Sequence, residues 1–212
     1  MTAYAKTVDE TETGEKTESE INTQGMWLFL SSEVMFFGVM FTAYIIYRRA
    51  FPQVFSEAST HLDQVLGSIN TFLLLSSSFT VAMAVNSIQR NKRRLMAGFF
   101  IITILLGLAF LGVKFLEYSH EIEQNLFPGA SFVYPGNQPE NAKLFFSLYF
   151  LMTGWHALHM VVGISMISLV TFLGLMGRFT PEDHGPVEIA GLFWHFVDIV
   201  WLFIFPLLYL VA

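Results

Sequence analysis

The apolar residues of the chain are gathered into five long runs that polar segments separate. The runs cover about residues 26–47, 65–85, 95–116, 144–170 and 189–211. A helix needs about 20 mostly apolar residues to cross roughly 30 Å of hydrocarbon, and each run is long enough. The pattern therefore predicts an all-α, polytopic membrane protein in which residues 25–212 form a bundle of five transmembrane helices.

Residues 1–24 form a separate segment that has no apolar run. Acidic residues outnumber Lys6 and Lys16 there. The acids are Asp9, Glu10, Glu12, Glu15, Glu18 and Glu20. Such a composition is typical of a solvated, mobile tail. The segment lacks the basic start and apolar middle of a signal peptide and the Arg-rich character of a transit peptide. A bacterial inner membrane is therefore the predicted location.

The overall composition supports the membrane assignment and excludes several function classes. Hydrophobic residues make up 54% of the 212 residues and charged residues only 13%, whereas soluble domains carry about 25% charged residues. The absence of cysteine removes disulfide and thiolate chemistry. The sequence also offers no nucleophile–base pair, phosphate loop, haem-attachment motif or basic groove for nucleic acid. We therefore expect no catalytic site in this chain.

The distribution of basic residues predicts the direction of the spans. Seven lysines and arginines lie in the N-terminal segment and the loops after the second and fourth spans, and four lie on the other side. The first group is Lys6, Lys16, Arg90, Lys92, Arg93, Arg94 and Arg178, and the second is Arg48, Arg49, Lys114 and Lys143. This bias predicts a cytoplasmic N-terminus and an external C-terminus.

Glu33 stands inside the first span, within the run "WLFLSSEVMFF". A carboxylate in hydrocarbon costs several kcal/mol unless it is protonated, paired or turned toward a protein interior. Glu33 follows Met26 by seven residues, which is roughly 10 Å at the rise of an α-helix. The predicted direction therefore places its carboxyl group in the cytoplasmic half of the membrane.

Three other spans carry polar pairs whose members are three residues apart and so share a helix face. The pairs are Lys114 with Glu117, His156 with His159, and His195 with Asp198. The favoured interpretation is that these groups tie helices together through buried hydrogen bonds of about 0.5–2 kcal/mol each. An ion pair of Lys114 and Glu117 at the membrane interface, worth little if hydrated, stays open.

A metal site is a further alternative, because helical bundles bind metals through inward carboxylates and histidines. The suitable side chains are Glu33, Glu117, His156, His159, His195 and Asp198. None of the five apolar runs as bounded above, however, contains the Glu-x-x-His pair of di-iron bundles. His156 and His159 also lie too close along one helix to be opposite axial ligands of one haem. We therefore predict no metal ligands in this chain.

Small and aromatic residues supply the remaining packing predictions. Glycines inside the spans are predicted to allow close approach of helices. They are Gly38, Gly107, Gly112, Gly154 and Gly163. Trp27, Tyr47 and Trp194 lie near the predicted span ends, where interfacial aromatic residues are common.

Four sequence segments together resemble subunit III of the haem–copper oxidases. They are "WLFLSSEVMFFGVMFTAYIIYR", "GLAFLGVKFLEY", "FFSLYFLMTGWHALHMVVG" and "WHFVDIVWLFIFPLLYL". The resemblance runs from about Gln24 to the C-terminus, and it matches the short, five-span bacterial form. Since this form lacks the first two helices of the seven-span form, a complete lipid cleft is not expected.

The resemblance implies a non-catalytic subunit of a proton-pumping terminal oxidase in aerobic respiration. Such a subunit packs on subunit I, holds phospholipids, supports proton uptake and protects the oxidase from inactivation during turnover. Glu33 matches the family's buried carboxylate and is the residue assigned to proton-uptake support. Haems and copper are expected in partner subunits and no cofactor in this chain. Subunit II, a subunit IV and other respiratory complexes are further partners that the resemblance allows.

Two other functions remain open from the sequence. Subunit-III-like proteins also accompany nitric oxide reduction, and an independent transporter would use Glu33 and the histidines as a proton relay. The chain lacks the repeated halves and the paired broken helices of such transporters. The electron donor lies outside this chain, and cytochrome c is favoured over quinol.

Overall fold

A computed structural model describes residues 2–129, 132–136, 138–181 and 183–211, with side chains from residue 23 onward. Six helices, joined by turns and loops, lie within these ranges, which contain no strand. The helices are α1 (Thr2–Ala50), α2 (Pro52–Ser59), α3 (Gln64–Gln89), α4 (Arg93–Glu123), α5 (Pro139–Leu175) and α6 (Gly185–Tyr209). The predicted all-α class is confirmed.

Five of these helices are long and apolar enough to cross a membrane, as the sequence predicts. They comprise residues 23–50 of α1 and the whole of α3, α4, α5 and α6. Their ends extend beyond the apolar runs, because helical hydrogen bonding continues after the side chains become polar. The fifth helix, for example, begins at Pro139, where a proline at the first helical turn loses no hydrogen bond.

The acidic N-terminal segment is continuous with the first span. The helix α1 begins at Thr2, so the backbone of the acidic residues is helical. Nothing in the structure tests whether this segment moves as a mobile tail, and that property stays a prediction.

The helices α3, α4, α5 and α6 form the body of the bundle, and α1 packs on one side against α5 and α6. A tight turn at Asn91, with a φ of 58°, reverses the chain between α3 and α4. Asp63 caps α3 by accepting hydrogen bonds from the backbone N–H groups of Val65 and Leu66. The core holds fully buried aromatic side chains, among them Trp194 and Trp201 of α6.

The short helix α2 lies outside the spans and packs its apolar face against α5. Phe55 of α2 meets Tyr44 of α1 and Phe145 of α5 in edge-on ring contacts. Tyr134, in the segment after α4, lies beside this region. Burial and the neighbouring carboxylate of Glu57 raise the pKa of Tyr134 above its usual value.

The glycine predictions hold at two positions, and two further glycines make no helix contact within this chain. A Cβ at Gly107 would lie 2.8 Å from Cη2 of Trp194, and one at Gly163 would lie 3.0 Å from its Cε3. Both glycines therefore allow α4 and α5 to approach α6. No atom lies within 4 Å of a Cβ at Gly38 or Gly112, because these glycines face away from the other helices. At Gly154 only the Tyr118 hydroxyl comes near, at 3.8 Å.

The prediction that Trp194 is an interfacial residue is wrong. Its side chain is fully buried, and its indole N–H donates to Oγ of Ser77 at 3.0 Å. The reason is that α6 starts at Gly185, so Trp194 stands more than two turns inside the helix. Trp27 is exposed.

Candidate functional site

The carboxyl group of Glu33 contacts an imidazole of another helix. Oε2 of Glu33 lies 3.1 Å from Nε2 of His159, which joins α1 to α5. The other ring nitrogen of His159, Nδ1, lies 2.9 Å from the carbonyl oxygen of Trp155. Because a carbonyl oxygen only accepts hydrogen bonds, Nδ1 must carry a hydrogen.

This tautomer determines what Glu33 and His159 can do chemically. If His159 is neutral, its hydrogen is on Nδ1 and its Nε2 is a bare acceptor, so Glu33 must be protonated to form the bond. If His159 is charged, Nε2 donates to the Glu33 carboxylate. Either way one proton lies between the two groups. The Glu33–His159 pair can therefore hold a transferable proton without changing its net charge.

Aromatic rings surround the Glu33–His159 pair and leave it partly open. Phe37, Trp155 and Phe193 lie with ring centroids 5.5, 6.0 and 6.3 Å from that of His159. The His159 side chain is 9% exposed and the Glu33 side chain 18%. Apolar walls strengthen the hydrogen bond by lowering the local dielectric constant, and the exposed part of Glu33 is the side from which a neighbouring molecule can reach the pair.

A second polar cluster occupies the end of the bundle where α4 and α6 finish. Lys114 Nζ donates to Oε2 of Glu117 at 3.0 Å and to the hydroxyl oxygens of Tyr149 and Tyr209 at 3.0 and 2.8 Å. Both tyrosines in turn donate to Oε1 of Glu117, at 3.0 and 2.5 Å. Lys114 and Glu117 are each 3% exposed, so the hydrated interfacial ion pair that the sequence left open is not present.

Aromatic faces complete the environment of the Lys114 ammonium group. Four rings lie with centroids 4.9–5.5 Å from Nζ, within the range of cation–π attraction. The rings belong to Tyr118, Tyr149, Trp201 and Tyr209. This buried network joins α4, α5 and α6.

The remaining predicted polar residues have different surroundings. Nδ1 of His195 lies 2.7 Å from Oγ of Ser78, which ties α6 to α3. His156 is fully buried between the rings of Phe110 and Trp201, and neither ring nitrogen has a hydrogen-bond partner among the described residues. The oxygens of Asp198 also have no partner within hydrogen-bond distance among the described residues, although the Ser78 hydroxyl lies near them. The predicted hydrogen-bonded tie is therefore not formed by His156 or Asp198 within the described part of the chain.

The sequence interpretation missed the hydroxyl groups that join the helices by hydrogen bonds. Ser77, Ser78 and Thr71 of α3 bond to α6, and Tyr149 and Tyr209 complete the Lys114 network. Serine and threonine are too common inside spans to be singled out by type. The buried Glu121 was also missed. It follows Lys114 by seven residues, and this spacing on one helix face could have revealed it.

No group of three histidine, aspartate or glutamate side chains that could hold a metal ion occurs within the described ranges. The two polar clusters instead consist of carboxyl groups bonded to imidazole, ammonium and phenol groups. Such an arrangement can bind and pass protons and can hold helices together.

Comparison with known proteins identifies the family. The family model described as cytochrome c oxidase subunit III matches residues 7–212. A cytochrome c oxidase subunit 3 of Synechocystis sp. is 34% identical over 187 residues, which are 88% of this chain and 74% of the relative. A quinol oxidase subunit 3 of Bacillus subtilis is 32% identical over 193 residues, 91% of this chain and 88% of the relative.

A probable quinol oxidase subunit 3 of Staphylococcus saprophyticus is 29% identical over 214 residues, covering 100% of this chain and 98% of the relative. These relatives do not favour a role in nitric oxide reduction or independent transport. The chain thus belongs to the cytochrome c oxidase subunit III family and is a non-catalytic subunit of a haem–copper terminal oxidase.

Proposed function

We propose that the Glu33–His159 pair supports proton uptake by the oxidase. The observation that carries the proposal is the bond between Nε2 of His159 and Oε2 of Glu33, with Nδ1 of His159 held by the Trp155 carbonyl. One proton lies between the two groups in either charge state. The pair can therefore take up a proton through the exposed part of Glu33 and release it toward a neighbouring acceptor.

The proposal includes the direction of the chain. The N-terminus lies in the cytoplasm and the C-terminus outside, because the basic turn at residues 90–94 and Arg178 belong on the cytoplasmic side. The first span begins at Thr23, and ten residues of helix place Glu33 about 15 Å below that end. The pair thus faces the side from which a respiratory oxidase draws protons.

The proposed partners of this chain are the other oxidase subunits and membrane lipid. The chain packs on subunit I of the oxidase, within a complex that also contains subunit II. Haems and copper belong to those partners and not to this chain. Large apolar side chains on α1 are exposed and need a protein or lipid cover in the membrane, among them Leu28, Met35 and Val39. Phospholipids cover the apolar surface that no subunit occupies.

The test is turnover of the intact oxidase that carries Glu33→Gln. Glutamine keeps the shape and can donate an amide hydrogen to Nε2 of His159, but it has no transferable proton. We expect slower turnover or faster inactivation, chiefly at alkaline pH, where protons are scarce, with normal assembly. Ser32→Ala is the matched control, because among the described residues the Ser32 hydroxyl bonds only to the Phe29 carbonyl of its own helix. Equal turnover and equal inactivation of parent and Glu33→Gln from neutral to alkaline pH would refute the role.

A further inference from the structure

His195 stands on the outer side of α6 with one ring nitrogen unused. Its side chain is partly exposed, and its Nδ1 lies 2.7 Å from Oγ of Ser78 on α3. The other nitrogen, Nε2, has no hydrogen-bond partner among the described residues, and the neighbouring helices do not shield it. A partner for Nε2 must therefore come from outside the bundle.

The Ser78 hydroxyl determines which kind of partner Nε2 needs. The preceding residues Ser76 and Ser77 donate to carbonyl oxygens of their own helix, whereas Ser78 bonds only to His195 in the described part of the chain. The carboxyl group of Asp198 lies near Ser78, but neither of its oxygens is within hydrogen-bond distance. The hydroxyl hydrogen of Ser78 therefore goes to Nδ1 of His195. A neutral imidazole that accepts at Nδ1 carries its hydrogen on Nε2, and a charged imidazole also has a hydrogen there, so Nε2 needs an acceptor.

The depth of His195 in the membrane leaves protein as the source of that acceptor. The helix α6 runs from Gly185 to Tyr209, and His195 follows Gly185 by ten residues, which is about 15 Å along the axis. Since a hydrocarbon core is about 30 Å thick, His195 lies near its middle, where acyl chains offer no acceptor and water is absent. An unpaired polar group at this depth is costly. We therefore expect a polar group of another membrane protein opposite Nε2.

The surface around His195 is an open groove whose floor is α6. The helices α1 and α3 each pack against α6, and they have no extensive contact with each other among the described residues. Ile199 and Leu202 follow His195 on the same face of α6, and both are exposed. Leu75 is exposed on α3 beside them. We call this surface, formed by His195, Ile199, Leu202 and Leu75, the His195 groove, and it is apolar apart from the histidine.

We propose that a transmembrane helix of a neighbouring oxidase subunit lies in the His195 groove and accepts a hydrogen bond from Nε2 of His195 through an oxygen atom. The proposal rests on the proposed packing of this chain within the oxidase, and it specifies the face and the side chain that carry that packing. An apolar groove with a single donor is complementary to an apolar helix with a single acceptor. A second copy of this chain fits less well, because a two-fold axis beside His195 would bring two donors together.

Photo-crosslinking in the intact oxidase identifies the neighbour. A benzophenone amino acid replaces Ile199 in one complex and Leu108 of α4, the matched control, in another. The two residues are 53% and 51% exposed, and both stand about 22 Å from the first residue of their helix. We expect residue 199 to link to another oxidase subunit. Residue 108 should link to lipid, because no exposed polar side chain occurs between residues 98 and 116 of α4.

A link from residue 199 to lipid alone, or to a second copy of this chain, would overturn the proposal. The same holds if residue 108, and not residue 199, links to another subunit. In each of these cases co-purification of the chain with the oxidase would still support the proposed function. A chain that does not co-purify with the oxidase would instead refute the proposed function itself.

Two substitutions test the hydrogen bond itself. The amide nitrogen of His195→Gln can replace Nε2 as a donor, whereas His195→Asn keeps a polar group only at the position of Nδ1, beside Ser78. We expect His195→Asn to raise the dissociation constant of the subunit from the oxidase about tenfold, the effect of losing one hydrogen bond. His195→Gln should stay close to the parent, and native mass spectrometry across a detergent series measures both. Parent-like association of His195→Asn, or equal weakening by both variants, would overturn the proposal, because His195 would then serve only the contact with Ser78.

Discussion

Nε2 of His159 lies 3.1 Å from Oε2 of Glu33, although 126 residues separate the two in the chain. The bond joins α5 to α1, whose apolar window is the least buried of the five spans at 22%. Phe37, Met40 and Tyr44 of α1 are buried and supply the apolar part of its attachment, and the bond to His159 adds a polar contact to it. The Glu33–His159 pair therefore has a structural consequence in addition to any role in proton uptake.

Two substitutions at Glu33 distinguish its structural role from its role in proton uptake. Glu33→Gln should keep α1 attached, because the amide can donate to Nε2 of His159, while Glu33→Ala should weaken the attachment by about 1–3 kcal/mol. Resistance of the oxidase to detergent dissociation measures this difference. A Glu33→Gln complex that dissociates as readily as Glu33→Ala would mean that the bond requires the acid itself.

His159→Leu tests the same contact from the other helix. We expect it to loosen α1 about as much as Glu33→Ala, and the double variant should be little worse than either single one, because both remove one bond. A double-mutant cycle on the detergent midpoint gives the coupling free energy. Additive losses would show that the two side chains act independently.

His195 and His156 should respond differently to replacement by leucine. His195→Leu removes the contact with Ser78 and should destabilise the α3–α6 packing by about 1–3 kcal/mol. His156→Leu removes no hydrogen bond to a described residue, and a swap between side chains of similar size should cost less than about 1.5 kcal/mol. Thermal dissociation of the subunit from the complex measures both. The reverse order would indicate that ordered water bonds to His156.

The three polar pairs of the spans show which contacts the sequence predicts and which it does not. The residues Lys114 and Glu117 share a face, as their spacing predicts, and two tyrosines from other helices complete their network. The same spacing leaves His156 between aromatic rings and gives Asp198 no partner within the described ranges. Spacing determines which residues share a face of one helix. Which residues the neighbouring helices bring to that face depends on their rotation and depth, and hydropathy does not specify these.

The spans themselves follow from the sequence because burial in hydrocarbon requires an apolar helix. The faces through which the spans contact each other do not follow in the same way. Lipid and protein interiors are about equally apolar, so hydropathy does not distinguish a lipid-facing residue from one that contacts another helix. Trp194 illustrates this limit, because it is a core residue despite its place near the end of the predicted fifth span. Gly112 illustrates it too, since it leaves open space where a helix contact was predicted.

Gly107→Ala should destabilise the bundle. The added Cβ would lie 2.8 Å from Cη2 of Trp194, and overpacking of this kind costs about 1–3 kcal/mol. Gly98→Ala is the control, because no atom lies within 4 Å of its Cβ, and alanine favours a helix by about 1 kcal/mol over glycine. The thermal midpoints of the two variant complexes should therefore move in opposite directions. A Gly107→Ala complex as stable as the parent would show that Trp194 can shift freely.

The separated subunit should contain no stoichiometric haem, copper or iron. His159, His195 and His156 of the spans contact a carboxyl group, a hydroxyl group and aromatic rings, respectively, and no three metal-binding side chains of the described residues converge. Metal analysis and a haem spectrum of the isolated chain provide the measurement. One tightly held metal ion per chain would contradict the prediction.

Lys114→Met should be the most destabilising of these substitutions. It removes the ammonium group from Glu117 and from the hydroxyls of Tyr149 and Tyr209, and loss of one partner of a buried ion pair costs about 3–5 kcal/mol. The double variant Lys114→Met, Glu117→Gln should recover part of this loss, because the unpaired buried charge is gone. Thermal dissociation of the subunit measures both, with Lys92→Met, at an exposed lysine, as a check that removing a cation is not harmful in itself. If the double variant is less stable than Lys114→Met, the tyrosine hydrogen bonds to Glu117 outweigh the ion pair in holding α4, α5 and α6 together.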